Sequence, residues 1–503
     1  MYASVIKNIK IYDGLGNSPE YGNIYINDGK IAKITPASLL ANTVYDFTGL
    51  SCAPGFIDIQ NHSDSSWSLF DKPKMANSLS QGYTTVLLGN CGASLAPITG
   101  SASILSLQKW KKVDGTNISW KTFQEYLAQL DQMKFGVNIG SLIGYSTVRR
   151  GLLVDQVRQL NPDEHRSILL VLDKSMEEGA FGVSTGLSYA HEYHLTLEEL
   201  RDVANLVKTR GLLFSAHLRS ELNGFTKSVH EVLDLAAQTK ARTKISHFKI
   251  RDDLLHADLS AALLEIEAMY QRGQDIFLDA YPYTSVWQVL YNLLPPWATE
   301  GGRVALLKSL RDPVLRAKIE SEINQMKNLA SIRLTSDAGG FGRNGMTILE
   351  YSKKVEKSVA DAFLYLVENS AADLMGIFEC IPEKSMHEVI MHPQVCIATD
   401  GISVEGHSGS FHERCVDSSF RFLKIWANEG RPLGNGLIKL TSLPARVMGL
   451  SNRGVIREGN FADLVLFNDD TLEGVASVFV NGELSYSEQS VTGLNGKVLR
   501  SNE

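Results

Sequence analysis

The amino-acid sequence predicts an α/β chain: a TIM-like (β/α)8 barrel, a small β-sandwich domain formed by both chain ends, and an insertion in one barrel loop. Three observations carry this expectation. Apolar runs of strand length alternate with longer amphipathic stretches from Cys52 to about Leu443, and such β-then-α repetition argues for a parallel sheet closed as a barrel. Short alternating runs broken by turns occupy both ends of the chain and read as hairpin strands. Between Ser285 and about Met346 the rhythm breaks, as an insertion would require.

Each element follows from a local pattern. Ser4-Val-Ile-Lys-Asn-Ile-Lys-Ile-Tyr12, Gly22-Asn-Ile-Tyr-Ile-Asn27 and Lys30-Ile-Ala-Lys-Ile34 place the N-terminal part of the small domain at residues 1–54. The barrel is expected over 55–444. Its strands include Thr84-Thr-Val-Leu-Leu88, Val137-Asn-Ile-Gly-Ser-Leu-Ile143, Gly182-Val-Ser-Thr185, Leu212-Leu-Phe-Ser-Ala216, Lys244-Ile-Ser-His247, Ile276-Phe-Leu-Asp279 and Val395-Cys-Ile-Ala-Thr399. Inside the insertion, about 285–346, Leu293-Leu-Pro-Pro-Trp297 precedes a charged helical stretch from Val304 to Lys327 and then Gly339-Gly-Phe-Gly342, the makings of a lid. Ala462-Asp-Leu-Val-Leu-Phe-Asn468 and Ala476-Ser-Val-Phe-Val-Asn-Gly482 alternate again and complete the small domain over 445–503.

Composition narrows the function. Of 503 residues, 44% are hydrophobic and 21% charged, ordinary values that exclude a disordered or fibrous chain. Lys and Arg number 49 against 56 Asp and Glu, so the net charge is −7 and no basic cluster tracks phosphates; nucleic acid is not an expected partner. No run approaches the ~18 to 20 apolar residues of a membrane helix, and the first ten residues alternate like a strand instead of a signal-peptide core. The expectation is a cytoplasmic protein without membrane contact, and a homo-oligomer is compatible with it. Five scattered cysteines make no disulfide framework, so each is a buried apolar group or a ligand.

Barrel sites are built at the C-terminal ends of strands, and ligand-type residues collect there. His62, Cys91, His217, His247 and Asp400 each lie at or just past the end of a hydrophobic run. One such residue alone is most often a satisfied, partly buried side chain. Five together are not so easily explained, and two imidazoles with one thiolate suit a catalytic zinc that keeps an open position. Two patterns compete. Gly182-Val-Ser-Thr-Gly186 matches the G-x-S-x-G nucleophile elbow, but Leu187-Ser-Tyr-Ala190 opens no obvious helix after it. His191-Glu-Tyr-His194 spaces its histidines three apart where a zincin helix needs four, and reads as a loop rim.

With those positions laid out, the chain resembles the D-aminoacylase (N-acyl-D-amino-acid deacylase) branch of the metal-dependent amidohydrolase superfamily almost end to end. The resemblance is carried by Ala53-Pro-Gly-Phe-Ile-Asp58, Gly89-Asn-Cys-Gly-Ala-Ser-Leu-Ala-Pro97, Phe181-Gly-Val-Ser-Thr-Gly-Leu-Ser-Tyr189, His217-Leu-Arg-Ser-Glu221, Ile245-Ser-His-Phe-Lys249 and Asp279-Ala-Tyr-Pro-Tyr283. Leu294-Pro-Pro-Trp-Ala-Thr-Glu-Gly-Gly302, Thr399-Asp-Gly401 and Gly459-Asn-Phe-Ala-Asp-Leu-Val-Leu-Phe467 add to it. The resemblance implies that Cys91, His217 and His247 hold one tightly bound zinc and that Asp400 is the catalytic carboxylate. It also places Tyr189, Lys249 and Tyr281 or Tyr283 near the substrate's α-carboxylate. Two departures stand out. Gln60-Asn-His62 replaces the family's His-x-His, so His62 remains while one ligand of a weaker second metal site is missing; a neutral amide is a poor zinc ligand. His407-Ser-Gly-Ser-Phe-His-Glu-Arg414 leaves the family's carboxylate-gripping arginine without a clear counterpart.

The implied reaction is zinc-dependent hydrolysis of the amide of N-acyl-D-amino acids, with Asp400 as general base and then general acid for a zinc-activated water. His62 is expected either to face the developing oxyanion or to hold a weak second metal. Lys249, two residues past His247, is the expected main partner of a substrate carboxylate, with Arg219 and Arg414 as alternates. The rivals are a cyclic-amide hydrolase of the hydantoinase or dihydroorotase type, which would use a carboxylated lysine where this chain has Cys91, a catalytically degenerate scaffold, and the serine hydrolase suggested by Ser184.

Overall fold

The computed structural model describes residues 1–100, 102–103, 118–154, 156–299, 301–335, 345–370, 374–405 and 411–503. Eight parallel strands form its centre: β1 (Phe56–Asp58), β2 (Tyr83–Leu88), β3 (Asn138–Ser141, resumed at Ile143–Gly144), β4 (Gly182–Gly186), β5 (Leu213–His217), β6 (Arg242–Ile245), β7 (Ile276–Ala280) and β8 (Val395–Ile397). One arc pairs β1, β2 and the first half of β3; the other runs from the second half of β3 to β8. The arcs share the chain at Leu142, whose N–H donates to the Leu88 carbonyl at 2.9 Å. They meet again where the His62 N–H donates to the Gly401 carbonyl at 2.8 Å, beside a parallel bridge from Asn61 to Gly401. The ring of strands is closed.

Alternation along the strands explains its two cores. Leu87, Leu213, Phe277 and Cys396 pack with Ile57 and Ile59 inside the ring. Their neighbours Val86, Phe214, Leu278 and Ile397 face the other way, into a cluster shared with helix residues such as Val203 and Val232. Cys396 is therefore a packing residue, and burial pushes its thiol up. The helices are written locally too. In Leu197–Thr209 the buried Leu200, Val203, Ala204 and Val207 recur at three- and four-residue spacing, and Thr196 caps the helix reciprocally with Glu199.

Strands from both chain ends merge into one nine-stranded sheet, with Ser51–Pro54 antiparallel to Leu464–Phe467 at the seam. Leu464, Leu466 and Phe479 pack with Ile6, Ile24 and Cys52, while the alternate residues Val465, Phe467 and Val478 face the barrel. Tyr45 meets Phe479 edge-on at 5.1 Å, so the sheet covers its own core in two layers. The tail departs from the expected division: Gly496 and Val498 bridge Phe135 and Ile139, so the last residues run along β3. The inserted sheet also reaches further than the break in sequence rhythm suggests. Ser285–Val289 pairs with Met375–Glu379, which pairs with Arg333–Leu334, and the helix Val359–Asn369 between them has a sequence pattern like that of a barrel helix. Gly339-Gly-Phe-Gly342 lies outside the described residues. Among the described residues no helix is long and apolar enough to cross a membrane.

Gly182 opens β4 at φ 138°, and a Cβ there would sit 1.9 Å from the Leu213 carbonyl oxygen of the paired strand. Gly211, at φ 70°, has no atom within 4 Å of such a Cβ. Gly182→Ala is expected to cost on the order of 3 kcal/mol or to prevent folding, and Gly211→Ala on the order of 1 kcal/mol. Denaturant melts of both measure the difference; equal losses would contradict the close approach of β4 to β5.

Candidate metal centre

Five side chains able to bind a metal or a proton converge on the C-terminal mouth of the ring. His217 ends β5, and Cys91, His247, Asp400 and His62 follow the ends of β2, β6, β8 and β1 by two to four residues. Three of them hold a left-handed backbone: Cys91 at φ 53°, His247 at 37° and Asp400 at 46°. Such angles are uncommon outside glycine and cost of order 1 kcal/mol or more each, a strain typical of sites that aim a side chain. Gly89 and Gly92 bracket Cys91 with positive φ, and a Cβ on either would fall within about 2 Å of Leu142 or Glu192. Ser184 spans the same loop, accepting from the Gly92 N–H at 3.0 Å and donating to the Gly89 carbonyl. Its hydroxyl is committed at both ends. The G-x-S-x-G pattern is a strut under Cys91, and only one turn of helix, Ala190–Tyr193, follows it.

The ligand atoms of Cys91, His217 and His247 lie within 4.8 Å of one another. Cys91 Sγ is 3.5 Å from His247 Nε2, close to the edge of about 3.5 Å that Zn–S and Zn–N bonds of 2.3 and 2.0 Å subtend in a tetrahedron. His217 Nδ1 is 2.9 Å from His247 Nε2. Each far nitrogen has an oxygen able to accept a proton from it: Ser188 Oγ lies 3.0 Å from His217 Nε2, and Glu221 Oε1 lies 3.3 Å from His247 Nδ1. With those nitrogens carrying the protons, Nδ1 of His217 and Nε2 of His247 keep their lone pairs for a metal. One thiolate and two imidazoles with an open fourth position fit zinc.

The electrostatics agree with the donor set. Burial pushes the Cys91 thiol up, but the His247 charge and hydrogen bonds from His217, His247 and His62 outweigh it and hold the thiol well below its ordinary range. Burial and Lys249 pull His247 down; the thiolate and Glu221 prevail and raise it to about 10. His217 is lowered by burial and by the charge of His247. Asp400 would be raised by burial, yet Arg414, 2.9 Å from its Oδ2, and His62, 3.1 Å from its Oδ1, hold it well below the usual carboxylate range. His62 in turn is raised to about 9, burial being outweighed by Asp400 and Cys91.

The five residues line an open cavity of about 450 Å³, walled on its far side by the insertion through Leu294, Ile323 and Met326. The residues expected near substrate divide. Tyr189 lies in the cavity with its ring 5.2 Å from that of His217, and Tyr281 lines it too. Tyr283 turns away, donating to the Asp417 carbonyl at 2.7 Å. Arg219 touches the wall, but its guanidinium is taken up by Glu231 at 2.8 Å and by the Tyr193 and Leu195 carbonyls. Lys249 is also engaged: Nζ is 2.5 Å from Glu221 Oε1, 3.0 Å from the His247 carbonyl and 2.9 Å from His247 Nδ1. Arg414 is the cation whose reach the sequence understates. It is 1% exposed, pairs with Asp400, stacks 4.6 Å from the Tyr281 ring and keeps its Nε without a hydrogen-bond partner. Glu221, Lys244 and Ser188 escaped the sequence reading, since none lies in the run-end pattern that singles out the ligands.

No protein-family model matches the chain. An N-acyl-D-glutamate deacylase of Alcaligenes xylosoxydans xylosoxydans is 27% identical over 515 residues, covering 99% of this chain and 96% of that protein. The structure superposes on that of N-acyl-D-glutamate deacylase from Bordetella bronchiseptica, complexed with zinc and a phosphonate mimic of the tetrahedral intermediate, with a TM-score of 0.84, 26% identity and 99% of both chains covered. It matches a D-aminoacylase structure, described in terms of a binuclear metal centre with one-metal activation and second-metal attenuation, at a TM-score of 0.82, 26% identity and coverage of 99% and 100%.

The raised His247 carries a proton at neutral pH in the metal-free protein, and a metal must displace it. Zinc uptake at pH 7 is therefore expected to release about one proton or more per ion, and affinity to fall as pH is lowered. Calorimetric titration in buffers of different ionisation enthalpy reads this directly; uptake without proton release would contradict the coupled thiolate and imidazolium.

Proposed function

We propose that this chain, a member of the D-aminoacylase (N-acyl-D-amino-acid deacylase) family of metal-dependent amidohydrolases, is a zinc hydrolase that cleaves the amide of N-acyl-D-amino acids to a carboxylate and a D-amino acid, with one tightly held zinc per chain. The observation that carries the reading is the Cys91, His217 and His247 triad facing a buried, ionised Asp400 across one cavity. A thiolate at this position argues against a cyclic-amide hydrolase, whose carboxylated lysine it would displace. The matched charges argue against a degenerate scaffold, because a site free to drift has no physical reason to keep four buried ionic groups in register.

Zinc on the triad would supply Lewis acidity and lower the pKa of a bound water to about 7. Asp400 accepts a proton from the attacking water at its carboxylate and returns it to the departing amine nitrogen, acting as base and then acid. His62, 3.1 Å from Asp400 Oδ1 and raised in pKa, orients that carboxylate and presents a positive edge to the oxygen that gains charge. Tyr189, against His217, closes the same side of the cavity.

For the substrate's α-carboxylate, Arg414 replaces Lys249 as the favoured partner. Glu221 and the His247 carbonyl already hold Lys249, whereas Arg414 has an Nε without a hydrogen-bond partner beside the buried Tyr281. A carboxylate drawn to Arg414 also loosens its hold on Asp400 Oδ2, which raises the proton affinity of Asp400 when substrate is present. Lys249 and Glu221 then serve as positioning residues for His247.

Amine release from N-acyl amino acids of both enantiomers, with several acyl groups, tests the reading; hydrolysis confined to cyclic amides would overturn it. Asp400→Asn is expected to keep the zinc and lose about 10²- to 10⁴-fold in kcat. Ser184→Ala is expected to weaken zinc binding, with activity recovering in excess zinc, which a lost nucleophile would not allow. Arg414→Met should raise KM for carboxylate substrates about tenfold or more beyond its effect on the matching amides, the loss of one charge-assisted pair. Lys249→Met should depress both substrate types alike; a selective effect of Lys249→Met would return the carboxylate to Lys249.

A further inference from the structure

Two fully buried groups beside the triad have no part in that mechanism. Lys244, on β6, is 0% exposed and points into the ring. Its three donors go to the Ile59 carbonyl at 3.0 Å, Gln60 Oε1 at 2.6 Å and Asn90 Oδ1 at 3.1 Å, and Asp279 Oδ2 lies 2.9 Å away as its counter-charge. Lysine only donates, so Gln60 must turn its oxygen towards Lys244. The other end of the amide therefore faces the metal triad: Gln60 Nε2 donates to Cys91 Sγ at 3.1 Å and stands 3.4 Å from His62 Nε2. An amide NH2 offers a cation no lone pair.

We propose that Lys244 and Gln60 together take the place of a second metal ion, the ammonium supplying the positive charge and the locked amide passing it to the thiolate as a hydrogen bond. The inference rests on the zinc reading and goes further than a missing histidine. If the lost ligand were the whole cause, Gln60→His would create a second metal site. With Lys244 in place it does not, because a second divalent ion would sit against a buried ammonium that Asp279, Asn90 and Ile59 hold where it is. Lys244 is in this sense a positioning residue, acting on the metal through Gln60.

The test is zinc content by elemental analysis, after equilibration with excess zinc and removal of loose metal, for the full-length wild type, Gln60→His and Gln60→His with Lys244→Met. The expected values are one, one and two equivalents. Two in the wild type or in Gln60→His, or one in the folded double variant, would overturn the inference. Gln60→His leaves Lys244 and its ion pair intact, so it carries the test even if the double variant fails to fold. In the cobalt-substituted protein, Gln60→Leu should shift the sulfur-to-cobalt charge-transfer band to lower energy, since the thiolate loses a donor; an unmoved band would overturn the hydrogen-bond part. These readouts count metal and not turnover, so a protein that holds one zinc yet deacylates nothing would refute the proposed reaction and leave this inference standing.

Discussion

Everything at the barrel mouth depends on keeping charge in a place with little water. Of the acidic groups buried there, four are each matched by a cation close at hand: Asp279 by Lys244 at 2.9 Å, Glu221 by Lys249 at 2.5 Å, Asp400 by Arg414 at 2.9 Å, and the Cys91 thiolate by His247 at 3.5 Å. An unpaired ion in such a setting costs several kcal/mol, so no one of these residues can be understood without its partner. The pairing also divides the labour. Lys244 and Lys249 are held by fixed acceptors and shape the site, while Arg414, beside Asp400, keeps its buried Nε without a hydrogen-bond partner.

The fold makes this density of charge feasible by bringing it to one end. Parallel strands in a closed ring finish at the same level, so residues remote in sequence, Cys91 and Asp400 among them, become neighbours without long flexible side chains. The left-handed turns at Cys91, His247 and Asp400 complete the convergence. Their strain is sustained by rigid surroundings: glycines that admit close backbone approach around Cys91, the Ser184 hydroxyl beneath it, and the Asp279 carboxylate that accepts the His247 N–H at 2.8 Å.

Much of this was legible in the residues alone, for identifiable reasons. The strands announced themselves because a ring buried on both faces needs short continuous apolar runs, and the candidate ligands because they stand where those runs stop. What stayed hidden depends on side-chain direction or on contacts between distant segments. Arg219 and Lys249 each stand two residues after a histidine of the site, yet Glu231 and Glu221 bind them; nothing local shows that. Arg414 comes from a loop after β8 and reaches Asp400 only through the fold. The serine of the G-x-S-x-G pattern could be judged from its missing helix, but its role as a strut required the positions of Gly89 and Gly92. The far limit of the insertion is not visible in the sequence because Val359–Asn369 is an apolar stretch of helix length, like those between barrel strands.

The central claim is that a thiolate and two imidazoles, at the ends of β2, β5 and β6, hold the metal on which the chemistry rests. X-ray absorption at the zinc edge of the loaded protein tests it most directly. The account predicts one sulfur at about 2.3 Å with nitrogen and oxygen neighbours at about 2.0 Å, and loss of the sulfur shell in Cys91→Ser. A zinc shell of nitrogen and oxygen alone in the wild-type protein would contradict it.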